Sequence, residues 1–467
     1  MSNNNSCLCS RAAHRSYFSR PHWSRREFFR VVGAGVTGSF LTGALRAAQV
    51  VPQLNVTPVN KAQNVIFILL AGAPSHVDTF DLKIFSGVTP VSAVKPETIN
   101  GLLWPTGILP NLGQTLGDLA IVRSMRSHAL VHSLAQTWTQ IGRNPAAALG
   151  DVAPNIGSII ALEKTPERLP THVFPTFLAL NSDGAAGQGY LDSQYAPFKT
   201  TPSANGLLNT SNPDGESRWN QKWSLLHVLD GSLRQNSPLG KPAEDMDSFY
   251  DAAKGLMYNP TVAKAFKFTT QDSQRYGATG FGNACLVAKQ VLEANAGTRF
   301  IQITLGGWDM HANIYGANGD PTRGNNIFTL GKTFDAGLAA LIADLKASGL
   351  FDRTLVVAVG EFGRTVGPLS GAQGRDHYPQ QFAVFAGAGV KGGRAIGSTT
   401  ADGSATEDPG WSRRRDVTPE DIEATIYSAM GINWTTVRYD DPFGRGFEYV
   451  PQAASDYYGP VNELWAS

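Results

Sequence analysis

The segment Asn64–Leu70, NVIFILL, is apolar at every position after its first, and nothing else in the chain constrains the fold as much. A strand with one face in water alternates apolar and polar residues, whereas a strand apolar throughout is covered on both faces. Thr354–Val359, TLVVAV, is a second run of this kind. Phe300–Leu305 alternates Phe300, Gln302 and Thr304 with Ile301, Ile303 and Leu305, and reads as a strand with unequal faces. Asn283–Ala294 is helix-like, and Ile327, Leu330, Phe334, Leu338, Leu341, Ile342 and Leu345 recur at helical spacing. Strands that alternate with helices lie parallel. The expected fold is α/β, a mainly parallel central sheet covered by helices on both faces. Residues from about 205 to 270, with Pro and Gly breaks near Ser237–Pro242, read as a helical insertion outside the sheet.

The N-terminal region carries a different signal. Ser24–Arg30, SRREFFR, precedes the Gly-rich apolar stretch Val31–Leu45. The paired Arg25 and Arg26, with Phe28 and Phe29 and a short apolar run, form the pattern of a twin-arginine export signal over residues 1–48. The run falls short of the ~20 apolar residues that a membrane span wants. The expected location is the periplasm or cell surface of a bacterium, with the twin-arginine translocase as the partner in export. That route carries folded proteins, often with a cofactor already loaded.

Cys7 and Cys9 precede the signal, so Cys285 stands alone in the exported chain. An intramolecular disulfide and a cysteine-held metal are both excluded there, and any metal must use His, carboxylate or hydroxyl ligands. With Lys+Arg 39 against Asp+Glu 38, no bulk field draws nucleic acid. A small-molecule or carbohydrate-like partner is the expected class.

Chemistry-bearing residues collect at the ends of the expected strands. Asn64–Leu70 leads to His76, Asp78 and Asp81; Phe300–Leu305 leads to Asp309 and His311; Thr354–Val359 leads to Glu361 and Arg364. Before the next apolar run, QFAVFAGAG, stands GRDHYP with Asp376 and His377. Ligands of open α/β sheets bind beyond the carboxyl ends of the strands. Mixed imidazole and carboxylate ligands suit a divalent metal, and two metals close together would clamp both oxygens of an ester displacement. The candidate ligands are therefore His76, Asp78, Asp309, His311, Glu361, Asp376 and His377, for one or two ions of zinc, calcium or manganese. Each has an ordinary alternative. His76 reads equally as a polar loop residue, Asp81 as a helix N-cap, and Asp376 as a group that orients His377. Arg364 would either bind an anionic substrate group or pair with Glu361.

The segments RYGATGFGNACLVAKQVLEA, RFIQITLGGWDMH, VVAVGEFGRT, GRDHYP and DVTPEDIEATIY, with GAPSHVDTFDLK before them, resemble in order and spacing the twin-arginine-exported, sulfatase-like family of uncharacterised bacterial proteins, related to the alkaline phosphatase superfamily. The resemblance runs from about Asn64 to the end and implies an alkaline-phosphatase-like domain over 60–467. It implies metal-dependent hydrolysis of sulfate or phosphate esters. Glu361 matches that superfamily's late-strand carboxylate, with His377 sixteen residues on, and Phe362 stands where a second ligand is usual. Sulfatases set their nucleophile at the start of a helix ending in Leu-Thr-Gly. Counting ten back from Gly142 reaches His132, with Ser133 beside it. Ser133 is the preferred nucleophile, with His132 as ligand or acid. The competing expectation is a non-catalytic exported protein that keeps one metal and binds a cell-surface polymer.

Overall fold

The computed structural model describes residues 50–234 and 240–466. Contacts divide the chain into Met1–Val50 and Val51–Ser467, and the fold below belongs to the second unit. The export motif, with Cys7, Cys9, Arg25 and Arg26, lies outside the described residues.

The central sheet has eight strands. They are β1 (Asn64–Leu70), β2 (Leu119–Arg126), β3 (Phe177–Leu180), β4 (Phe198–Thr200), β5 (Phe300–Thr304), β6 (Thr354–Gly360), β9 (Gln380–Ala386) and β10 (Arg394–Ile396); a small hairpin outside it pairs β7 (Gly363–Arg364) with β8 (His377–Tyr378). The order across the sheet is β10-β2-β9-β6-β1-β5-β3-β4. β1 runs parallel to β5 and β6, and β3 parallel to β5 and β4. Only β9 is reversed, antiparallel to both β2 and β6. The expected α/β architecture, with a mostly parallel sheet, is what the chain adopts.

β1 makes the physical reason visible. Its alternate residues enter two separate cores: Ile66, Ile68 and Leu70 on one face, Val65, Phe67 and Leu69 on the other. Each such side chain contributes roughly 1.5–3 kcal/mol when fully buried. Helices α6 (Gly280–Ala294) and α7 (Ile327–Ala347) cover the first face, and α2 (Ile156–Lys164) and α8 (Pro419–Ala429) the second. Asn326 caps α7 by accepting the amides of Phe328 and Thr329, which fixes where that helix starts. α1 (His132–Ile141) ends at Gly142, whose φ of 58° gives the left-handed turn that stops it.

β5 has the unequal faces expected of it, and its polar Gln302 is fully buried, accepting from Asn155 at 3.1 Å and donating to Gln140 at 2.8 Å. Paired amides replace water there, so a polar residue did not signal exposure. One expectation needs correcting, that Asp81 is an N-cap. It caps no helix; its carboxylate meets Lys83 at 3.3 Å and Arg123 at 3.4 Å. Between β4 and α6 the chain forms α3 (Gly215–Arg234), α4 (Lys241–Leu256) and α5 (Pro260–Phe266).

Candidate metal centre

Four connections meet at the carboxyl edge of the parallel strands. The loop after β5 carries Asp309 and His311, and Gly307 turns it off the strand with φ of 101°. It lies backbone to backbone on the loop after β1, so close that a Cβ on Gly72 would stand 2.5 Å from the Asp309 amide nitrogen. The loop after β2 enters α1 at His132. β6 leads through Glu361 and Phe362 into the β7–β8 hairpin, whose register sets Arg364 against His377. Because β9 is reversed, its amino end, and His377 just before it, arrive at the same edge.

There the ligand atoms of His132, Asp309, His311 and His377 all lie within 4.8 Å of one another. His311 Nε2 is 3.0 Å from His377 Nε2 and 2.9 Å from Asp309 Oδ1, and His132 Nε2 is 3.2 Å from Asp309 Oδ1. Two ligands of one tetrahedral zinc, at bonds of about 2.0–2.1 Å, are separated by about 3.3 Å. His377 Nε2 lies farther out, 3.8 Å from Asp309 Oδ1.

The protons on these rings follow from what stands behind them. His377 Nδ1 faces the Leu130 carbonyl oxygen at 2.7 Å, and His132 Nδ1 faces Glu361 Oε1 at 2.8 Å. A backbone carbonyl and a carboxylate accept, so the proton of each ring stands on Nδ1, and Nε2 is the nitrogen turned toward a cation. His311 Nδ1 looks toward Asp376 Oδ1 at 3.6 Å. Three Nε2 atoms and Asp309 Oδ1 therefore converge, an arrangement that is unfavourable unless a proton or cation lies among them. His132 Nε2 is buried without a hydrogen bond. The donor set fits a zinc-class ion, for which a buried acid behind a ligating imidazole is the usual support.

Solvent reaches this centre. The side chains of Asp309 and His311 are 46% and 47% exposed, those of His132 and His377 28% and 22%. Burial opposes the charge on Asp309, but the Arg364 guanidinium and the neighbouring imidazoles outweigh it and hold the carboxyl below its ordinary range.

Among the residues singled out from sequence, Asp309, His311 and His377 meet here together with His132. Glu361 stands behind His132, fully buried, its Oε1 accepting from His132, from the Gly72 amide at 2.8 Å and from Gln136 at 3.0 Å. Asp376 is exposed; its carboxylate accepts its neighbour's amide, that of His377, and faces His311. Arg364 does not pair with Glu361. Its five N–H donors reach the carbonyls of Ala73, Gly72 and Arg375, Asp309 Oδ1 at 2.6 Å and His311 Nε2 at 3.4 Å, so none is left over for a substrate.

His76 and Asp78 lie outside the cluster. His76 is bound to the Gly403 carbonyl at 2.9 Å and stacked on Tyr378, and burial lowers its pKa. Asp78 is paired with Arg375 at 2.7 Å. Ser133, the second residue of α1, is exposed. Phe362 is a buried wall against His132 and His377, with ring centroids at 4.8 and 4.6 Å. Sequence reading missed Gln136 and the Leu130 carbonyl. Gln136 is four residues from His132, one helical turn on, and that spacing was its only signal.

Comparison with known proteins gives a family and several distant folds. The family model described as "Protein of unknown function (DUF1501)" matches residues 62–453. No curated relative matches the sequence. Among solved structures, the PsFucS1 sulfatase from Pseudoalteromonas sp. is 13% identical, covering 88% of this chain and 72% of its own, with a TM-score of 0.38. The C-terminal periplasmic domain of EcEptC from Escherichia coli, in complex with Zn, is 11% identical over 82% of this chain and 85% of its own, with a TM-score of 0.37. A protein in the alkaline phosphatase superfamily from Vibrio parahaemolyticus is 11% identical over 82% and 70%, with a TM-score of 0.36. Likenesses of this size carry no argument about activity. With 62–453 matched, the chain belongs to the family described as Protein of unknown function (DUF1501).

Proposed function

We propose that this protein is an exported, metal-dependent hydrolase of sulfate or phosphate esters, working at one zinc-class ion held by His132, Asp309, His311 and His377. The observation that carries the reading is the convergence of three imidazole nitrogens and one carboxylate oxygen, open to solvent, with the rings of His132 and His377 locked in the ligating tautomer from behind. Calcium is disfavoured because it takes six to eight oxygen ligands, and nitrogen dominates here.

A bound divalent ion would supply Lewis-acid polarisation of an ester oxygen. The chain's own groups do the rest. Glu361 and the Leu130 carbonyl hold the Nδ1 protons of His132 and His377, which keeps the opposite nitrogens aimed inward. Arg364, its donors occupied, fixes the Asp309 carboxylate rather than gripping the substrate. Ser133 remains the preferred nucleophile, exposed beside His132 at the start of α1, where free amides and the helix dipole favour an anionic group. Arg25 and Arg26 support export by the twin-arginine route to the periplasm or cell surface.

The test is direct. Zinc-loaded protein should hydrolyse an aryl sulfate or an aryl phosphate, and His377→Ala should abolish turnover while the protein stays folded. Wild-type protein that is folded and metal-loaded, yet inert across a broad panel of both esters, would overturn the hydrolase in favour of a metal-dependent binder.

A further inference from the structure

We propose that the buried pair Asp78–Arg375, with Tyr315, is a positioning clamp that sets the spacing of the metal ligands without touching the metal. The inference rests on the metal-centre reading and deepens it.

Arg375 and Asp78 are both fully buried, and their side chains meet at 2.7 Å. Each group belongs to a different connection at the sheet edge. Asp78 lies in the short turn His76–Asp78 after β1, and Ser75 also donates to it, at 2.5 Å. Arg375 Nη1 donates to the carbonyls of Thr365 at 2.8 Å and Gly367 at 3.0 Å, in the segment after β7. The Arg375 amide donates to the Met310 carbonyl at 3.0 Å, between Asp309 and His311. Its own carbonyl accepts from Arg364 Nη1 at 3.2 Å. Tyr315, four residues beyond His311, donates its hydroxyl to Asp78. One residue thus ties the connections after β1, β5 and β7 to the segment that reaches His377 two positions later.

The backbone around Arg375 is as closely fitted. Asn313 and Ile314 donate to the carbonyls of Ala372 and Gln373 at 3.0 and 2.9 Å, a short pairing of the His311 loop with the His377 loop. A Cβ on Gly374 would stand 2.0 Å from the His311 carbonyl carbon. The clamped loops therefore set His311 Nε2 and His377 Nε2 3.0 Å apart. A buried ion pair is weak evidence for stability as such, since apolar side chains of similar volume often replace one without loss. What it contributes here is geometry, because the guanidinium is rigid and its donors are directed.

The experiment measures zinc affinity by chelator competition on folded full-length protein, with Tm taken alongside. Tyr315→Phe removes one hydroxyl and preserves shape, and should weaken zinc binding several-fold. The paired replacement Asp78→Leu with Arg375→Met fills the same space with apolar atoms and should weaken it by about 10–100-fold, the range seen when outer partners of metal ligands are lost. Asp335→Asn serves as the control. Asp335 is a buried acid that caps Pro110–Gln114 through the amides of Asn111 and Leu112, so its loss should lower Tm and leave zinc affinity alone. Unchanged zinc affinity in folded Tyr315→Phe overturns the clamp while the centre stands. Wild-type protein that binds no zinc overturns the centre and the clamp with it. An affinity loss in Asp335→Asn as large as in the clamp variants assigns the effect to general destabilisation and also overturns the clamp.

Discussion

Glu361→Gln isolates what a buried charge does for the centre. The substitution keeps the shape and removes the negative charge behind His132. Glu361 Oε1 takes three donors, from Gly72, His132 and Gln136, while Oε2 is buried with no hydrogen bond. A glutamine oxygen can serve the same donors. Its amide then occupies the Oε2 position, where an unpaired donor costs about 1–3 kcal/mol of stability. A hydrogen bond to a charged group is worth about 1.5–3 kcal/mol and a neutral one about 0.5–1.5, so His132 loses on the order of 1–1.5 kcal/mol of support. Glu361 is fully buried and His132 28% exposed, so solvent screens that difference only in part. At 1.4 kcal/mol per tenfold, zinc should bind about tenfold more weakly; loss of the charge's longer-range attraction for the cation extends this toward 100-fold. Chelator competition reads it, with thermal unfolding to confirm the fold. A zinc Kd within twofold of wild type would refute the reasoning, because Glu361 would then not act through His132.

Three further outcomes are expected. Ser133→Ala should leave zinc affinity unchanged and remove aryl-ester turnover; intact turnover would move the nucleophile's role to water. Glu423 is pushed up to about 8 by burial, from an ordinary 4.5. The unfolded chain therefore releases that proton near 4.5 while the folded chain keeps it, and the group lowers stability as pH rises from about 4.5 to about 8, by up to ~1.4 kcal/mol per unit. Glu423→Gln should flatten this slope in urea titrations between pH 5 and 8, and an unchanged slope would discard the assignment. Arg25→Lys with Arg26→Lys should leave the protein in the cytoplasm at precursor length, and normal export of that variant would discard the signal.

The sheet was legible in the chain because burial on both faces leaves a mark that needs no partner to be read: Asn64–Leu70 and Thr354–Gly360 are apolar at nearly every position, and so could only be central. Asp309, His311 and His377 were legible as chemistry because they crowd beside strand ends. Hydrophobic period does not record direction, however, and β9 reads the same either way. Its reversal, which brings His377 to the shared edge, was decided by pairing with β2 and β6. The role of Glu361 was decided by where the side chain points, since the same carboxylate ligates or orients according to a rotation that the sequence does not encode locally. The Leu130 carbonyl that sets the His377 tautomer is a backbone atom and carries no residue signature. Asp78 and Arg375 are 297 positions apart, and only the packing of the strand-end loops made one partner of the other.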